Sequence, residues 1–310
     1  MNPTPMIHRP TLHGDRLWRA MVDDPPLRVI VALMTGTCRE AAERHGLRGL
    51  SAVALGRGLL GGMLMTTLTK GNERVTLQVM GDGPLRGVTV DANDAGEVRG
   101  YVGSPELELE ASAGVRVSTT PAVGASGDVV VHRDLGLRDI YQGHTSLRSG
   151  EVDGDLEQYL VQSEQMPSAL RCDVLLDGAG GVEWAGGVLV QTAPGAGPTL
   201  LRGARARVAA GWLEQELRSG SDLEAKLSDL MGHPAQLLEW RRVRFHCPCG
   251  GHRVTEALRA VGTEVLREII ASGEPAEVSC RFCGDLHLVE PATLAQLVAE
   301  LEQEAGALRS

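Results

Sequence analysis

Six cysteines carry the most reactive side chains of this 310-residue chain: Cys38, Cys172, Cys247, Cys249, Cys280 and Cys283. Four of them form two close pairs near the C-terminus, Cys247-Pro248-Cys249 and Cys280-Arg281-Phe282-Cys283, with about thirty residues between the pairs. Each pair can present two thiolates, and a chain that folds back between them brings four sulfurs to one point. Four sulfur donors at ~2.3 Å suit one Zn²⁺ held tetrahedrally. An all-cysteine site is closed, so such a zinc is structural and activates no water. Gly284, just after the second pair, lets backbone N–H groups turn toward a thiolate. His246, His252 and His287 stand nearby as competing ligands, but four cysteines already complete the site. A disulfide pair without metal is the alternative reading.

The first pair departs from ordinary structural fingers, because a single residue separates its cysteines where two to four are usual. Metal binding keeps cysteine as thiolate, and the thiolate is the form that oxidants attack. A zinc–thiolate centre can therefore act as a sensor. Oxidation removes the ligands, the metal leaves, and the binding energy that folded the unit is lost. For structural zinc peptides that energy is on the order of 10–16 kcal/mol, far more than a unit of ~65 residues can replace from its own core. Cys38 and Cys172 sit in apolar or strand-like segments and read as buried, inert thiols.

The segments around these cysteines predict an α+β fold. Residues 1–192 read as an N-terminal mixed domain with a largely antiparallel sheet, 193–243 as a helical middle linker, and 244–310 as a small C-terminal zinc-binding redox-switch domain. The run LRVIVALM at 27–34 is apolar throughout and fits strand or helix. Residues 41–69 predict a helix whose small residues, Ala52, Ala54, Gly58 and Gly62, allow close packing. Alternation at 74–80, 97–102 and 127–132 predicts strands. GDGP at 81–84 predicts a hairpin turn leading to a strand at 85–90. A helix follows at 156–166, then strands at 170–176 and 184–191. TAPGAGP at 192–198 reads as a linker. Beyond it, Val208, Trp212, Leu213 and Leu217 form one stripe. Ser221 and Glu224 form a capping box ahead of Leu227, Leu230 and Met231, and Gly232 ends that helix. Residues 293–304 predict an amphipathic helix presenting Leu294, Leu297, Val298 and Leu301.

Composition narrows the function. The net charge of -10 argues against non-specific nucleic-acid binding, and an aromatic content of 3% argues against a base-stacking surface. The longest apolar stretch, 52–68, is broken by Arg57 and four glycines, which argues against a membrane span. The first twenty residues contain no apolar leader segment, so a cytoplasmic location is expected, where thiols stay reduced. GDGPLRG at 81–87 resembles a dinucleotide fingerprint only superficially, since its third glycine is late and a proline follows the second. No P-loop or nucleophile elbow occurs, and Asp82, Asp91 and Asp94 are turn-flanking acids without evident partners. No enzyme activity is expected.

The cysteine pattern resembles that of the redox-regulated bacterial heat-shock chaperones, the 33 kDa chaperonin family. LQVMGDGP at 77–84, VRGY at 98–101, YQG at 141–143, the segment from Asp155 through SEQMPS at 163–168, and AGGVLVQ at 185–191 resemble that family's N-terminal motifs, in its order. Gly250 stands where the family's pattern has Ser, away from the ligands. The resemblance implies a reduced, inactive monomer with one Zn²⁺ per chain on Cys247, Cys249, Cys280 and Cys283. It implies oxidation to Cys247–Cys249 and Cys280–Cys283 disulfides, zinc release, and unfolding of the C-terminal unit and the middle region. The dimer so formed holds unfolding client proteins without ATP and protects them from aggregation under heat and oxidative stress. Trp212, Leu213, Leu217, Leu223, Leu227, Leu230 and Met231 are the client-binding candidates, with no nucleic-acid or membrane partner. The rival reading is a zinc-module nucleic-acid-binding protein. It draws on Arg241, Arg242, Arg244 and Arg253 with Phe245 and Phe282, and the acidic total opposes it.

Overall fold

Every residue of the helix Gly49–Met65 is buried, so it must be enclosed on all sides. The computed structural model describes residues 14–68, 74–134, 141–192, 197–218 and 222–307. In chain order these form β1 (Arg16–Val22), β2 (Leu27–Leu33), α1 (Thr35–Arg44), the enclosed helix as α2, β3 (Arg74–Gly81), β4 (Val88–Asn93), β5 (Glu97–Val102), the short α3 (Thr120–Val123), β6 (Gly127–Asp134), β7 (Tyr141–Ser146), α4 (Val152–Gln162), β8 (Ser168–Leu176) and β9 (Val182–Thr192). Then come α5 (Arg202–Ala209), α6 (Trp212–Leu217), α7 (Leu223–Met231), β10 (Gln236–Arg242), β11 (Arg244–Phe245), α8 (Gly251–Val261), α9 (Thr263–Ser272), β12 (Ala276–Ser279), β13 (Leu286–Val289) and α10 (Pro291–Ala307). The chain divides into two compact units, Met1–Phe245 and His246–Ser310.

In the first unit, sheet A has the order β10-β1-β2-β9-β8 and sheet B the order β11-β5-β4-β3-β6-β7. All pairings are antiparallel except the two-residue β11 beside β5. The fold is therefore α+β with antiparallel sheets, as the element pattern predicts. Helix α2 packs against strands of both sheets, and its glycines set the spacing. A Cβ on Gly56 would meet Val174 of sheet A at 2.8 Å, and one on Gly58 or Gly62 would meet Val88 or Val90 of sheet B at 2.9 and 2.8 Å. Arg57, the residue that interrupts the apolar run, is buried with its guanidinium 2.8 Å from the Glu151 carboxylate and 2.6 Å from the Val117 carbonyl.

The other face of sheet A is covered by α5, α6 and α7. Trp18, Ala20, Val22, Val29, Val31, Val188 and Val190 of the sheet share one buried cluster with Leu201, Val208, Trp212, Leu213, Leu217, Leu227 and Leu230 of the helical layer and its approach. The nearly continuous apolar run at 27–34 is thereby resolved. It is a strand covered on both faces, which removes the polar alternation that marks a half-exposed strand. The tryptophans gather here as well. Trp18 and Trp212 lie in the cluster, Trp184 packs against it, and Trp240 stands opposite Trp18.

Several expected boundaries move for identifiable reasons. The predicted helix at 41–69 is two helices, α1 beginning at Thr35 and α2 at Gly49, parted by Gly46 at a φ of +65°. The second hairpin strand begins at Val88, because the Leu85 amide bonds instead to the Ala122 carbonyl. Helix α4 starts four residues early, at Val152, and Asp155 accepts backbone N–H groups from Arg148 to Gly150. The middle region is not wholly helical, since Gln236–Arg242 forms the edge strand β10. It packs within the first unit. Ser221 lies outside the described residues. Asp222 caps α7 instead, and the Glu224 carboxylate accepts the Leu237 amide at 3.2 Å. Residues 193–196 of the linker are likewise outside the described residues.

The glycine spacing of α2 has a measurable consequence. Gly62→Val places branched carbons against Val90, so it is expected to lower the urea unfolding free energy of the chain by roughly 1–3 kcal/mol, followed by far-UV circular dichroism.

Candidate metal centre

The second unit holds all four paired cysteines. Cys247 and Cys249 lie in the loop that enters α8, and Cys280 and Cys283 lie in the turn joining β12 to β13. The turn is built to expose amides. The Cys280 N–H donates to the Asp285 carbonyl at 2.9 Å, and the Gly284 N–H donates to the Cys280 carbonyl at 2.8 Å. Gly284 has a φ of +75°, the left-handed conformation that glycine adopts without strain. The Phe282 and Cys283 amides then point at the Cys280 sulfur, and the Asp285 amide at the Cys283 sulfur. Gly284 therefore serves as the sequence predicts.

The four Sγ atoms lie within 4.8 Å of one another. Cys247 Sγ stands 3.6 Å from Cys280 Sγ, and Cys249 Sγ stands 3.3 Å from Cys283 Sγ. None of the four is disulfide-bonded. A tetrahedron of sulfurs at ~2.3 Å from a central ion has edges of about 3.8 Å, so the cluster has the size of a metal site. Burial opposes ionisation of the Cys280 thiol, but the Phe282 and Cys283 amides and the neighbouring thiols outweigh it and hold it below the ordinary range. Burial pushes the Cys249 and Cys283 thiols up. The amides of the turn thus favour the thiolate at Cys280. His246, His252 and His287 do not join the cluster of ligand atoms.

What surrounds the cluster is small. Val254, Leu258, Leu266, Ala276, Leu294, Leu297 and Val298 are the buried hydrophobics of the second unit. Leu301 is only partly buried, so the apolar stripe expected on α10 is covered at three of its four positions. Arg259 bridges to Glu300 at 2.5 Å and Glu304 at 3.1 Å, and Arg267 pairs with Glu302, tying α8 and α9 to α10. These pairs are exposed and add little.

The other cysteines are placed as inert groups. Cys38 and Cys172 are buried in the first unit, and burial raises both thiols well above their ordinary range. All seven client-binding candidates on α6 and α7 are buried against sheet A. The sheet face beneath them was not anticipated from the sequence; the near-continuous burial of β2 hides its period, and β1 mixes buried, half-buried and exposed positions. The basic residues have local partners or fall in different units. Arg241 donates to the Asp94 carbonyl, Arg244 pairs with Glu97, and Arg253 belongs to the second unit.

Comparison with known proteins agrees with this architecture. The family model described as "Hsp33 protein" matches residues 15–289. A 33 kDa chaperonin of Nostoc punctiforme is 39% identical over 299 residues, covering 94% of this chain and 98% of the relative. The 33 kDa chaperonin of Gloeobacter violaceus is 38% identical over 304 residues, covering 94% and 97%. The crystal structure of the 33 kDa chaperonin from Thermotoga maritima superposes with a TM-score of 0.83 at 29% identity, covering 93% of this chain and 99% of that one. Fold, cysteine cluster and sequence thus define a member of a chaperone family. The chain belongs to the Hsp33 family.

If the cluster is a metal site, Cys280→Ser should lower zinc affinity at least about a hundredfold, measured by chelator competition, because losing a ligand exceeds the loss from an outer-sphere partner. In the unfolding-free chain, a thiol reagent should modify Cys38 and Cys172 last.

Proposed function

We propose that this chain is an ATP-independent holdase switched on by oxidation of its four-cysteine centre. The observation that carries the reading is the cluster of four sulfurs within 4.8 Å in a unit whose buried core is seven hydrophobic side chains. Bound zinc, one per chain, would hold Cys247, Cys249, Cys280 and Cys283 as thiolates and so supply folding energy that this core lacks. Oxidation by a peroxide joins Cys247 to Cys249 and Cys280 to Cys283. Each new S–S bond gives up two electrons from a pair of thiolates to one hydrogen peroxide, whose O–O bond breaks and which takes two protons from solvent to become two waters. The four ligands are then consumed and the second unit loses its fold.

The client surface in this reading is the interface between the helical layer and sheet A. Releasing α5, α6 and α7 exposes Leu213, Leu217, Leu227 and Leu230 on one side and Val29, Val31, Val188 and Val190 on the other. The layer carries polar liabilities that favour release. The indole N–H groups of Trp18 and Trp212 are buried with no acceptor among the described residues, each costing roughly 1–3 kcal/mol. Lys226 is buried in the same layer, donating to the Glu216 carbonyl. Unfolding client proteins are the partners, the active form is a dimer, and the reduced form is a monomer in the cytoplasm.

The test is an aggregation assay on reduced, zinc-loaded protein with and without peroxide at heat-shock temperature. Oxidation should release one zinc per chain, consume four thiols and suppress light scattering by a denatured client, and reductant should reverse all three. Equal suppression by the reduced and oxidised forms would sink the redox switch.

A further inference from the structure

A cleft of about 610 Å³ in the first unit takes no part in the redox reading. One wall is the segment 105–111. The other is the corner between α1 and α2, at Gly46, Arg48 and Gly49, together with the β8–β9 turn at 178–180. The segment belongs to neither sheet. Its sequence, PELELEA, alternates acidic and apolar residues, and burial alternates with it. Leu107 and Leu109 are half-buried, whereas Glu106, Glu108 and Glu110 are exposed. A period of two is that of an extended chain. The start of α2 holds the segment in place. The Leu109 carbonyl accepts the Leu50 amide at 2.9 Å, and the Leu107 carbonyl accepts the Ser51 hydroxyl at 3.0 Å. Gly49, at a φ of +58°, permits that approach, since a Cβ there would lie 2.0 Å from the Leu109 carbonyl oxygen.

Two sets of groups along this wall have no partner among the described residues. The backbone N–H and C=O groups of Glu108 and Glu110 make no hydrogen bond. The carboxylates of Glu106, Glu108 and Glu110 meet no cation. The one cation among the described lining residues, Arg48, donates instead to the Ala179 carbonyl at 2.9 Å. An unpaired, extended backbone is a template for a further strand. A row of three unanswered carboxylates selects the charge which that strand carries. We propose that this wall is a docking edge for an extended basic peptide with Lys or Arg at alternate positions. The peptide backbone pairs with the free groups of Glu108 and Glu110. Its cations fall on the glutamate face, and the residues between them fall on the face of Leu107 and Leu109. The site needs neither oxidation of the cysteines nor release of the helical layer, so it stands or falls independently of the redox reading.

The test is fluorescence anisotropy of a fluorescein-labelled peptide of alternating lysine and valine, titrated with the reduced full-length chain at low salt. The peptide should bind, and one of alternating glutamate and valine should not. Replacing the three acids together, Glu106→Gln, Glu108→Gln and Glu110→Gln, should weaken binding roughly tenfold, the combined effect of three exposed ion pairs. All three side chains are exposed, so the variant should keep the parent's urea unfolding transition. A second probe separates strand pairing from bulk charge on the unaltered chain. A peptide of the same composition, with its lysines in one block and its valines in another, should bind at least about fivefold more weakly, because its cations miss the two-residue spacing. No binding of the alternating peptide would overturn the proposal. So would equal affinity for the block peptide, or an affinity that the three glutamine substitutions leave unchanged.

Discussion

Four sulfurs gathered within 4.8 Å cannot all be thiolates on their own, because like charges at that distance repel. The constraint explains the rest of the second unit. Its turn geometry aims amides at two of the sulfurs, those of Cys280 and Cys283. Its buried core is seven hydrophobic side chains, small for a unit of this length. A divalent, sulfur-seeking cation would suit such a cluster of donors.

The first unit solves the opposite problem. Its central helix is apolar on all sides and is enclosed by two sheets drawn close by glycines at 56, 58 and 62. Its one charge is answered by Glu151 and a backbone carbonyl. Little there can be removed without leaving a cavity or an unpaired charge. The helical layer on the far face of sheet A is different in kind. It is apolar enough to stay docked, yet it buries Lys226 and two indole N–H groups that have no acceptor among the described residues. One chain thus combines an enclosed frame, a helical layer on the far face of sheet A and a small unit that holds four clustered cysteines.

Much of this was legible in the sequence where a local rule suffices. The cysteine spacing, the alternation of β3, β5 and β6, the small residues of α2, and Gly232 and Gly284 as turn residues all report short-range geometry. The failures are long-range. β1 and β10 pair across more than two hundred residues, and neither carries a clean alternation: β1 mixes buried residues with half-buried Arg16 and Arg19 and exposed Met21, and β10 is an irregular edge strand. Glu224 reads as the far half of a capping box, but its carboxylate serves Leu237 thirteen residues away. The sheet face under the helical layer was hidden for the same reason as β1. At the cysteine cluster, the four clustered residues and the turn at Gly284 could be read from the sequence, whereas the segment that joins both sheets could not, since two residues of parallel strand leave no pattern.

The placement of the tryptophans has a spectroscopic consequence. All four, Trp18, Trp184, Trp212 and Trp240, lie in or beside the interface of sheet A with the helical layer, and the three tyrosines, Tyr101, Tyr141 and Tyr159, are also in the first unit. Residues 246–310 contain one aromatic ring of the Phe, Tyr and Trp kind, Phe282. Indole emission from the intact chain therefore arises wholly in the first unit and gauges, without any label, the interface of sheet A with the helical layer, while the cysteine-bearing unit stays silent.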